Sequence, residues 1–248
     1  DLLIQRSQQS DKISGTRTVS DLEFSWDDKG RMRLPIRPIV FGGDDTTFVC
    51  DGRIGLSLAA EYLRTFENEA KVHGLNLSAC AGIAIVKSHY PFARAYQLSE
   101  ELCDEAKKFR RENSYTGGAL DWHFTSSGLY GILEEMRERE YHVNVGSLTL
   151  RPVSLGDEGD VRSWNEMERL TEAFQEDWAD KRNKAKSLRD ALREGPEAVA
   201  RFLNIYEQKL PELTGFDQTG WHHDLCGYFD ALELMDIHIP LRKKEAQP

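Results

Sequence analysis

The chain has 248 residues, 40% of them hydrophobic and 30% charged, with a formal net charge of −10. This composition is that of a folded globular protein and not of a disordered one, and no apolar run approaches the roughly 20 residues that a membrane span needs. The acidic balance also argues against broad binding to a nucleic-acid backbone as the main task.

The four cysteines are scattered along the chain without a CxxC pair. They are Cys50, Cys80, Cys103 and Cys226. This spacing predicts free thiols in a reducing compartment, with neither a disulfide framework nor a zinc ribbon. The first residues lack the basic and then apolar order of a secretory signal. We therefore expect a cytoplasmic protein with no membrane contact.

The first third of the chain predicts two hairpins and a helix. Residues 1–19 resemble the end of a helix that runs into a polar loop. The segment LEFSWDDKGRMRLP alternates around a short loop with glycine, which predicts a hairpin. The runs IRPIVF and TTFVC predict two further short strands, hinged at glycines. Apolar residues then recur at helical spacing from Ile54 to about Val72.

The middle of the chain alternates strands and helices. LSACAGIAIV, residues 77–86, is almost continuously apolar, which predicts a central strand buried on both faces. A helix with Pro91 near its start follows. GALDWHF, residues 118–124, predicts a strand, and Leu129 to Met136 a short amphipathic helix. SLTLRPVS, residues 147–154, predicts a last strand.

The pattern changes to helices after Pro152. A stripe of large apolar residues runs from Trp164 to Trp178, and it is most simply a core face. Gly195 and Pro196 separate two further helices. We therefore expect an α/β fold of the α+β kind, with a palm-like domain over residues 1–154 and a helical domain over residues 155–248.

Two neighbouring carboxylates, Asp44 and Asp45, occupy the predicted tip between IRPIVF and TTFVC. Adjacent side chains diverge along a regular strand, but a hairpin turn can bring them together. Converging carboxylates repel unless a cation neutralises them, and Mg²⁺ with phosphate oxygens suits such a pair. Gly42 and Gly43 would let a triphosphate lie close to the backbone. The alternative is a solvent-exposed turn, because these residue types favour turns for local reasons.

Four blocks in a fixed order carry a resemblance. LPIRPIVFGGDDTTFVCDGR is followed by LSACAGIAIVKSHYPFARAYQLSEELCDEAKK and then by ALDWHF. The series resembles the second palm domain of the large polymerase-like subunit of type III CRISPR effector complexes. It is more distantly similar to GGDEF diguanylate cyclases and nucleotidyl cyclase palms. The similarity covers residues 34–124, with weaker agreement to residue 152.

The resemblance implies a ferredoxin-like palm with an antiparallel sheet that converts ATP to cyclic oligoadenylates in antiviral defence. Asp44 and Asp45 would be the catalytic ligands of two Mg²⁺ or Mn²⁺ ions. Gly42 and Gly43 would bind the nucleotide, and Lys107 would touch its phosphates. A solvated lysine late in a helix is the alternative for Lys107.

The resembling palms carry a further metal-binding aspartate on a first strand upstream of the hairpin. No such strand is recognisable before Leu34, so we expect the chain to lack it. The resemblance also implies a second palm in the same polypeptide or in a dimer partner, with effector subunits and RNA as further partners. One alternative function is a non-catalytic palm that serves as a scaffold or nucleotide sensor in a ribonucleoprotein. Another is a diguanylate cyclase, although Thr46 and Thr47 replace the usual Glu-Phe ending.

Other polar residues have simpler interpretations. His222, His223 and Cys226 could supply metal ligands, but no second cluster has zinc spacing, which favours a structural or surface role. His123 is expected to pack on its strand near the site. The basic run from Lys181 to Lys186 is expected to be a solvated helix face.

Overall fold

The computed structural model describes residues 12–43, 45–125, 131–156 and 160–241. Its described part has an α+β fold with seven helices, as the sequence predicts for the fold class. The helices are α1 (Gly55–Val72), α2 (Phe92–Glu112), α3 (Leu133–Tyr141), α4 (Trp164–Asp177), α5 (Arg182–Glu194), α6 (Pro196–Tyr206) and α7 (Phe229–Leu234). No helix in these ranges is both long and apolar enough to cross a membrane.

The strands of the described residues form several small sheets, and most of their pairings are antiparallel. The strands are β1 (Lys12–Ile13), β2 (Leu22–Glu23), β3 (Ser25–Trp26), β4 (Met32–Arg33), β5 (Ile36–Gly42), β6 (Asp45–Cys50), β7 (Cys80–Ile85), β8 (Ala119–Phe124), β9 (His142–Val143), β10 (Gly146–Ser147), β11 (Val153–Ser154), β12 (Trp221–His222) and β13 (Leu225–Cys226). The sheet orders are β1-β2, β3-β4, β5-β6, β11-β8-β7 and β12-β13-β10-β9.

The β11-β8-β7 sheet is covered by helices on both faces. On β8, Leu120 and Trp122 pack into the cluster that contains α1 and α4 side chains. Ala119 points to the opposite face, where it packs with Ala106 and Phe109 of α2. Alternation of side chains along a strand produces this division. Within this sheet β7 pairs with β8 in parallel, and β11 pairs with β8 antiparallel.

A glycine allows α2 to approach β7 closely. A Cβ atom at Gly82 would collide with the Ser99 carbonyl oxygen and the Cys103 amide nitrogen of α2. This close contact holds the first residues of β7 against the middle of the helix.

The largest cluster of buried side chains includes residues from both predicted domains. Leu63 and Trp122 lie in it together with Trp164, Phe174 and Phe229. Trp164 and Phe174 are fully buried, so the apolar stripe that begins at Trp164 is a core face, as predicted. The boundary at residues 154 and 155 stays a prediction.

Most of the predicted elements are present, with small shifts at their ends. The hairpin β3-β4 turns at residues 27–30, and Gly30 has a φ of 70°. Helix α3 begins at Leu133 and extends to Tyr141, later than predicted, and Leu129 lies outside the described residues. Of the predicted N-terminal helix end and loop, residues 1–11 also lie outside, and residues 12–13 form β1.

Two strand predictions are wrong in detail. The predicted central strand of residues 77–86 is β7, which lies at a sheet edge among the described strands and has all six residues partly exposed. The predicted single strand of residues 147–154 is two short strands, β10 and β11, in different sheets. For β7, the apolar run indicates a tendency to be buried but not the number of neighbouring strands. For residues 147–154, Pro152 has no backbone N–H to donate to a strand ladder, which interrupts the predicted strand. The ferredoxin-like palm stays a prediction, since hairpin β5-β6 forms a sheet of its own.

Candidate functional site

The tip that contains the candidate residues is a tight turn, as predicted. Gly42 pairs with Asp45, so the loop between β5 and β6 has two residues, Gly43 and Asp44. Gly43 has a φ of 66°, a conformation that two-residue hairpin loops require and that glycine adopts without steric cost. Asp44 lies outside the described residues.

The space beside the two glycines is open. Among the described residues, no heavy atom beyond the chain neighbours would lie within 4 Å of a Cβ atom at Gly42 or at Gly43. Packing therefore does not explain the missing side chains here. The opening is on the surface, beside the exposed side chain of Asp45.

Two consecutive residues anchor the hairpin to two different helices. The hydroxyl of Thr46 lies 2.9 Å from the hydroxyl of Tyr62 on α1. The next residue, Thr47, forms a side-chain hydrogen bond with Tyr96 on α2. Because neighbouring strand residues point to opposite faces, β6 has α1 on one face and α2 on the other.

Asp45 projects from the same face of β6 as Thr47, towards α2. Its negative charge contributes to raising the pKa of Tyr96, although the hydrogen bond between Tyr96 and Glu100 is the largest cause. The charge also acts on Cys103, whose pKa burial raises most strongly. Asp45 therefore lies within electrostatic range of the middle of α2.

Lys107 lies one helical turn after Cys103 on α2. The charges of Cys103 and then Asp104 raise the pKa of Lys107. At neutral pH the partly buried Cys103 is a protonated thiol, so the charge that acts on Lys107 is that of Asp104, at 3.2 Å from the Lys107 Nζ atom. The Lys107 side chain is 53% exposed, so its ammonium can still meet a ligand.

The described candidate charges both lie near Cys103 of α2. Asp45 is within electrostatic range of Cys103, and Lys107 lies one helical turn after it. A carboxylate next to residues without side chains can accommodate a metal-bound anion such as a nucleotide phosphate tail. The roles of these residues stay predictions.

The donor set at the tip suits a hydrated hard cation. The described residues contain no group of three or more His, Cys, Asp or Glu side chains that could hold a metal ion. Asp45 with Asp44 would supply carboxylate oxygens only, and Mg²⁺ accepts one or two carboxylates when water and substrate phosphates complete its coordination. The open glycine surface leaves room for both. The residues therefore fit Mg²⁺ or Mn²⁺ held jointly with a nucleotide.

Sequence reasoning missed the two tyrosines that position the hairpin. The helical spacing places Tyr62 in the apolar stripe of α1, together with Phe66, yet these side chains are 38% and 37% exposed. A tyrosine among leucines and alanines was the available signal, since its hydroxyl requires a polar neighbour at the edge of a core. Tyr96 gave a similar signal on α2.

His123 lies away from the hairpin, under α3. Its side chain is 1% exposed, and its Nε2 atom lies 3.6 Å from a Glu140 carboxylate oxygen. Burial, followed by the positive charges of nearby arginines, lowers its pKa to about 3. His123 is therefore neutral at pH 7 and packs beside Tyr141, at 6.0 Å between ring centroids.

The candidate cluster near the C-terminus has a hairpin of its own. His222 and His223 follow one another at the β12-β13 turn, with ring centroids 4.4 Å apart. Cys226 is buried, and burial raises its pKa to about 12. A protonated, buried thiol is a poor metal ligand, in line with the structural role expected from the sequence.

No family model matches this chain. The curated proteins likewise contain no match to it.

Proposed function

We propose that the chain is a metal-dependent nucleotidyltransferase that uses ATP and forms cyclic oligoadenylate. The observation that carries the proposal is the open tip at Gly42 and Gly43, beside the exposed Asp45. The resemblance to polymerase-like palms supports ATP as the substrate. The type III CRISPR setting rests on the same resemblance.

In the proposed reaction, a ribose 3′-oxygen forms a bond to the α-phosphorus of a nucleoside triphosphate, and pyrophosphate leaves. Bound Mg²⁺ or Mn²⁺ would supply acidification of the attacking hydroxyl and neutralisation of phosphate charge. Asp44 and Asp45 would hold the metal. Gly42 and Gly43 leave space for the triphosphate, and the Lys107 ammonium balances the charge of the departing pyrophosphate.

A cyclic product requires a donor and an acceptor nucleotide side by side. The proposal therefore includes a second palm, in the same polypeptide or in a dimer partner. The hairpin tip is exposed on the surface of the described part of the chain, as such an arrangement needs. Removing one ligand of the site should raise the barrier enough to slow the reaction roughly 100-fold or more.

The test compares matched aspartates at two hairpin tips. The protein is incubated with ATP or GTP and Mg²⁺ or Mn²⁺, and products are identified by mass spectrometry. We expect cyclic oligoadenylate from the wild type and from Asp28→Asn, which changes the exposed loop of the other hairpin. Asp45→Asn and Asp44→Asn should lose at least 99% of the rate.

Other outcomes select the alternatives. Cyclic diguanylate from GTP identifies a diguanylate cyclase. Nucleotide binding without turnover, weakened by Asp45→Asn and not by Asp28→Asn, identifies a nucleotide-sensing palm. Equal activity in all the variants contradicts the proposed site, and the absence of both binding and turnover contradicts the proposed function.

A further inference from the structure

Two cysteines lie together at the contact between β7 and α2. Cys80 is the first residue of β7, and Cys103 lies in the middle of α2. The thiol of Cys103 donates a hydrogen bond to the carbonyl oxygen of Cys80, and its sulfur lies 3.4 Å from that oxygen. The side chain of Cys103 therefore extends from the helix to the first residue of the strand.

The side chain of Cys80 lies on the face of β7 that packs on α2. It packs against the cluster that contains Ala106 and Phe109 of α2 together with Ala119. Gly82, two residues further along β7, faces the same helix, as the alternation of side chains along a strand requires. The two thiols therefore share one interface, and both cysteines are partly exposed.

The two sulfur atoms can meet after rotation of their side chains. A cysteine sulfur lies within about 5 Å of the carbonyl oxygen of its own residue, so the sulfurs of Cys80 and Cys103 are at most about 8 Å apart. A change of rotamer moves a sulfur by about 3 Å. Because Gly82 has no side chain, no Cβ atom separates the strand from the helix beside this pair.

We infer that Cys80 and Cys103 form a redox-active dithiol, at which a peroxide converts two free thiols to a disulfide within the chain. In a reducing compartment such a bond is transient and belongs to redox sensing, not to the permanent framework of the fold. The inference rests on contacts between described residues, and it is independent of the proposed nucleotidyltransferase activity.

The reaction has two steps, and hydrogen peroxide is the oxidant. In the first, the Cys80 thiol loses its proton and its sulfur attacks one peroxide oxygen. The O–O bond breaks, the hydroxide that leaves takes up the proton as water, and a sulfenic acid remains. In the second, the Cys103 sulfur attacks the sulfenic sulfur, the S–S bond forms, and the hydroxyl group leaves with the Cys103 proton as a second water. Peroxide gains the two electrons that the thiols lose.

The first step belongs to Cys80. Burial raises the pKa of the Cys103 thiol, which leaves little thiolate on Cys103 at neutral pH. Because the thiolate is the attacking form, Cys103 is a slow first nucleophile. It is close enough to Cys80 to resolve the sulfenic acid once that has formed.

The chain contains a control for random pairing. Cys50 is also partly exposed, but it packs against a different cluster, with Ile13 and Ile54. About 30 residues separate Cys50 from Cys80, and about 23 separate Cys80 from Cys103. In an unfolded chain, loop-closure entropy makes the rates of these two pairings differ only about 1.5-fold. A strong preference for one pair therefore reports the folded geometry.

The test is oxidation of the full chain with hydrogen peroxide, followed by alkylation of free thiols, trypsin digestion and mass spectrometry. Lysine or arginine residues separate the four cysteines, so each lies on its own tryptic peptide. In the folded protein, we expect the cross-link of Cys80 with Cys103 to exceed that of Cys50 with Cys80 at least tenfold. In concentrated urea the ratio should fall to about twofold or less. Dithiothreitol should restore all four thiols.

Single substitutions separate the two steps. In Cys103→Ser the sulfenic acid of Cys80 has no resolving thiol, so dimedone should label Cys80 after peroxide treatment. In Cys80→Ser, dimedone should label Cys103 at least tenfold more slowly. Cys50→Ser is the matched control, and it should leave the yield of the Cys80–Cys103 cross-link within twofold.

The inference fails if all four thiols are still alkylated after peroxide treatment of the folded protein. It also fails if Cys50 and Cys80 pair as readily as Cys80 and Cys103 do. A cross-link whose yield rises with protein concentration would contradict it as well, because that bond would join two chains. Equal dimedone labelling in Cys80→Ser and Cys103→Ser would overturn the assigned order of the two steps.

Discussion

The Arg151 Nε atom lies 3.0 Å from a carboxylate oxygen of Asp230, and both side chains are essentially without solvent contact. Asp230 also accepts hydrogen bonds from the Leu150 amide and the Thr149 hydroxyl. The guanidinium of Arg151 donates to the Trp122 carbonyl oxygen and lies over the Tyr141 ring, with its central carbon 4.2 Å from the centroid. This ion pair links α7 of the predicted helical domain to the end of the predicted palm.

Removing the charge of Asp230 should destabilise the whole protein. Asp230→Asn leaves the buried guanidinium of Arg151 without its closest counter-charge, which typically costs about 3–5 kcal/mol. Urea denaturation would measure the lost free energy of unfolding. The matched control is Asp236→Asn, at an exposed pair 3.8 Å from Arg182, which should cost about 1 kcal/mol or less. Equal losses in the two variants would contradict the argument.

His123 should make stability depend on pH below neutrality. Its folded-state pKa is lowered to about 3, mainly by burial, and the neighbouring Arg151, Arg137 and Arg139 lower it further. These effects outweigh the opposite effect of the Glu140 carboxylate on the pKa of His123, although that carboxylate lies 3.6 Å away. Between the folded pKa and the ordinary value near 6.5, the unfolded chain binds more protons, so stability falls as the pH falls.

The expected change in the free energy of unfolding follows from about 1.4 kcal/mol per pKa unit. It amounts to a loss on the order of 3 kcal/mol between pH 6.5 and pH 4. Urea titrations of the wild type and of His123→Gln over this pH range would separate the contribution of His123 to stability from that of the carboxylates. The wild-type curve should be steeper, and parallel curves would show that His123 does not titrate in this way.

Local signals predicted much of the fold. The hairpins and the helices α1 and α2 follow from turn residues and helical spacing, which act over a few residues. That β7 pairs only with β8 in the described part of the chain could not be predicted, because whether a strand such as Cys80–Ile85 has one neighbour or two depends on distant parts of the chain. The same holds for Arg151, whose partner on α7 is far along the sequence.

In the candidate site, too, local features were predictable and contacts between distant parts of the chain were not. The turn at Gly43 and Asp44 was predictable from four adjacent letters. The anchoring of Thr46 by Tyr62, and of Thr47 by Tyr96, was not, because these contacts depend on how two helices pack around the hairpin.

The hydrogen bond between Thr46 and Tyr62 should hold the hairpin against α1. In a double-mutant cycle of Tyr62→Phe and Thr46→Val, we expect a coupling energy of about 0.5–1.5 kcal/mol, the usual net value of such a bond. Urea denaturation would provide the free energies. Amide exchange in β6 should also become faster in each single variant, and strictly additive free energies would show that the bond does not contribute.

Lys107 should affect nucleotide binding more than its neighbour on α2. If the Lys107 ammonium meets phosphate, Lys107→Ala should raise the KM or Kd for ATP about tenfold, which corresponds to about 1.4 kcal/mol. Lys108→Ala is the matched control, because Lys108 is similarly exposed and has Glu105 as its neighbour at 4.0 Å. The measurement is ATP binding by calorimetry, with turnover where it occurs. Equal effects would leave Lys107 as a solvated surface lysine.

Alanine substitutions at the two glycines of the tip distinguish backbone strain from loss of space for a ligand. Both have open surroundings, but Gly43 has a φ of 66° and Gly42 does not have a positive φ. Gly43→Ala should therefore destabilise the hairpin by about 1 kcal/mol, since a Cβ atom is disfavoured in the left-handed region. Gly42→Ala should cost less than about 0.5 kcal/mol, because the new methyl group meets neither strain nor a clash. If a triphosphate lies along this backbone, Gly42→Ala should still weaken ATP binding at least tenfold with unchanged stability. Wild-type ATP affinity in Gly42→Ala would show that the open surface at this turn is not where the nucleotide binds.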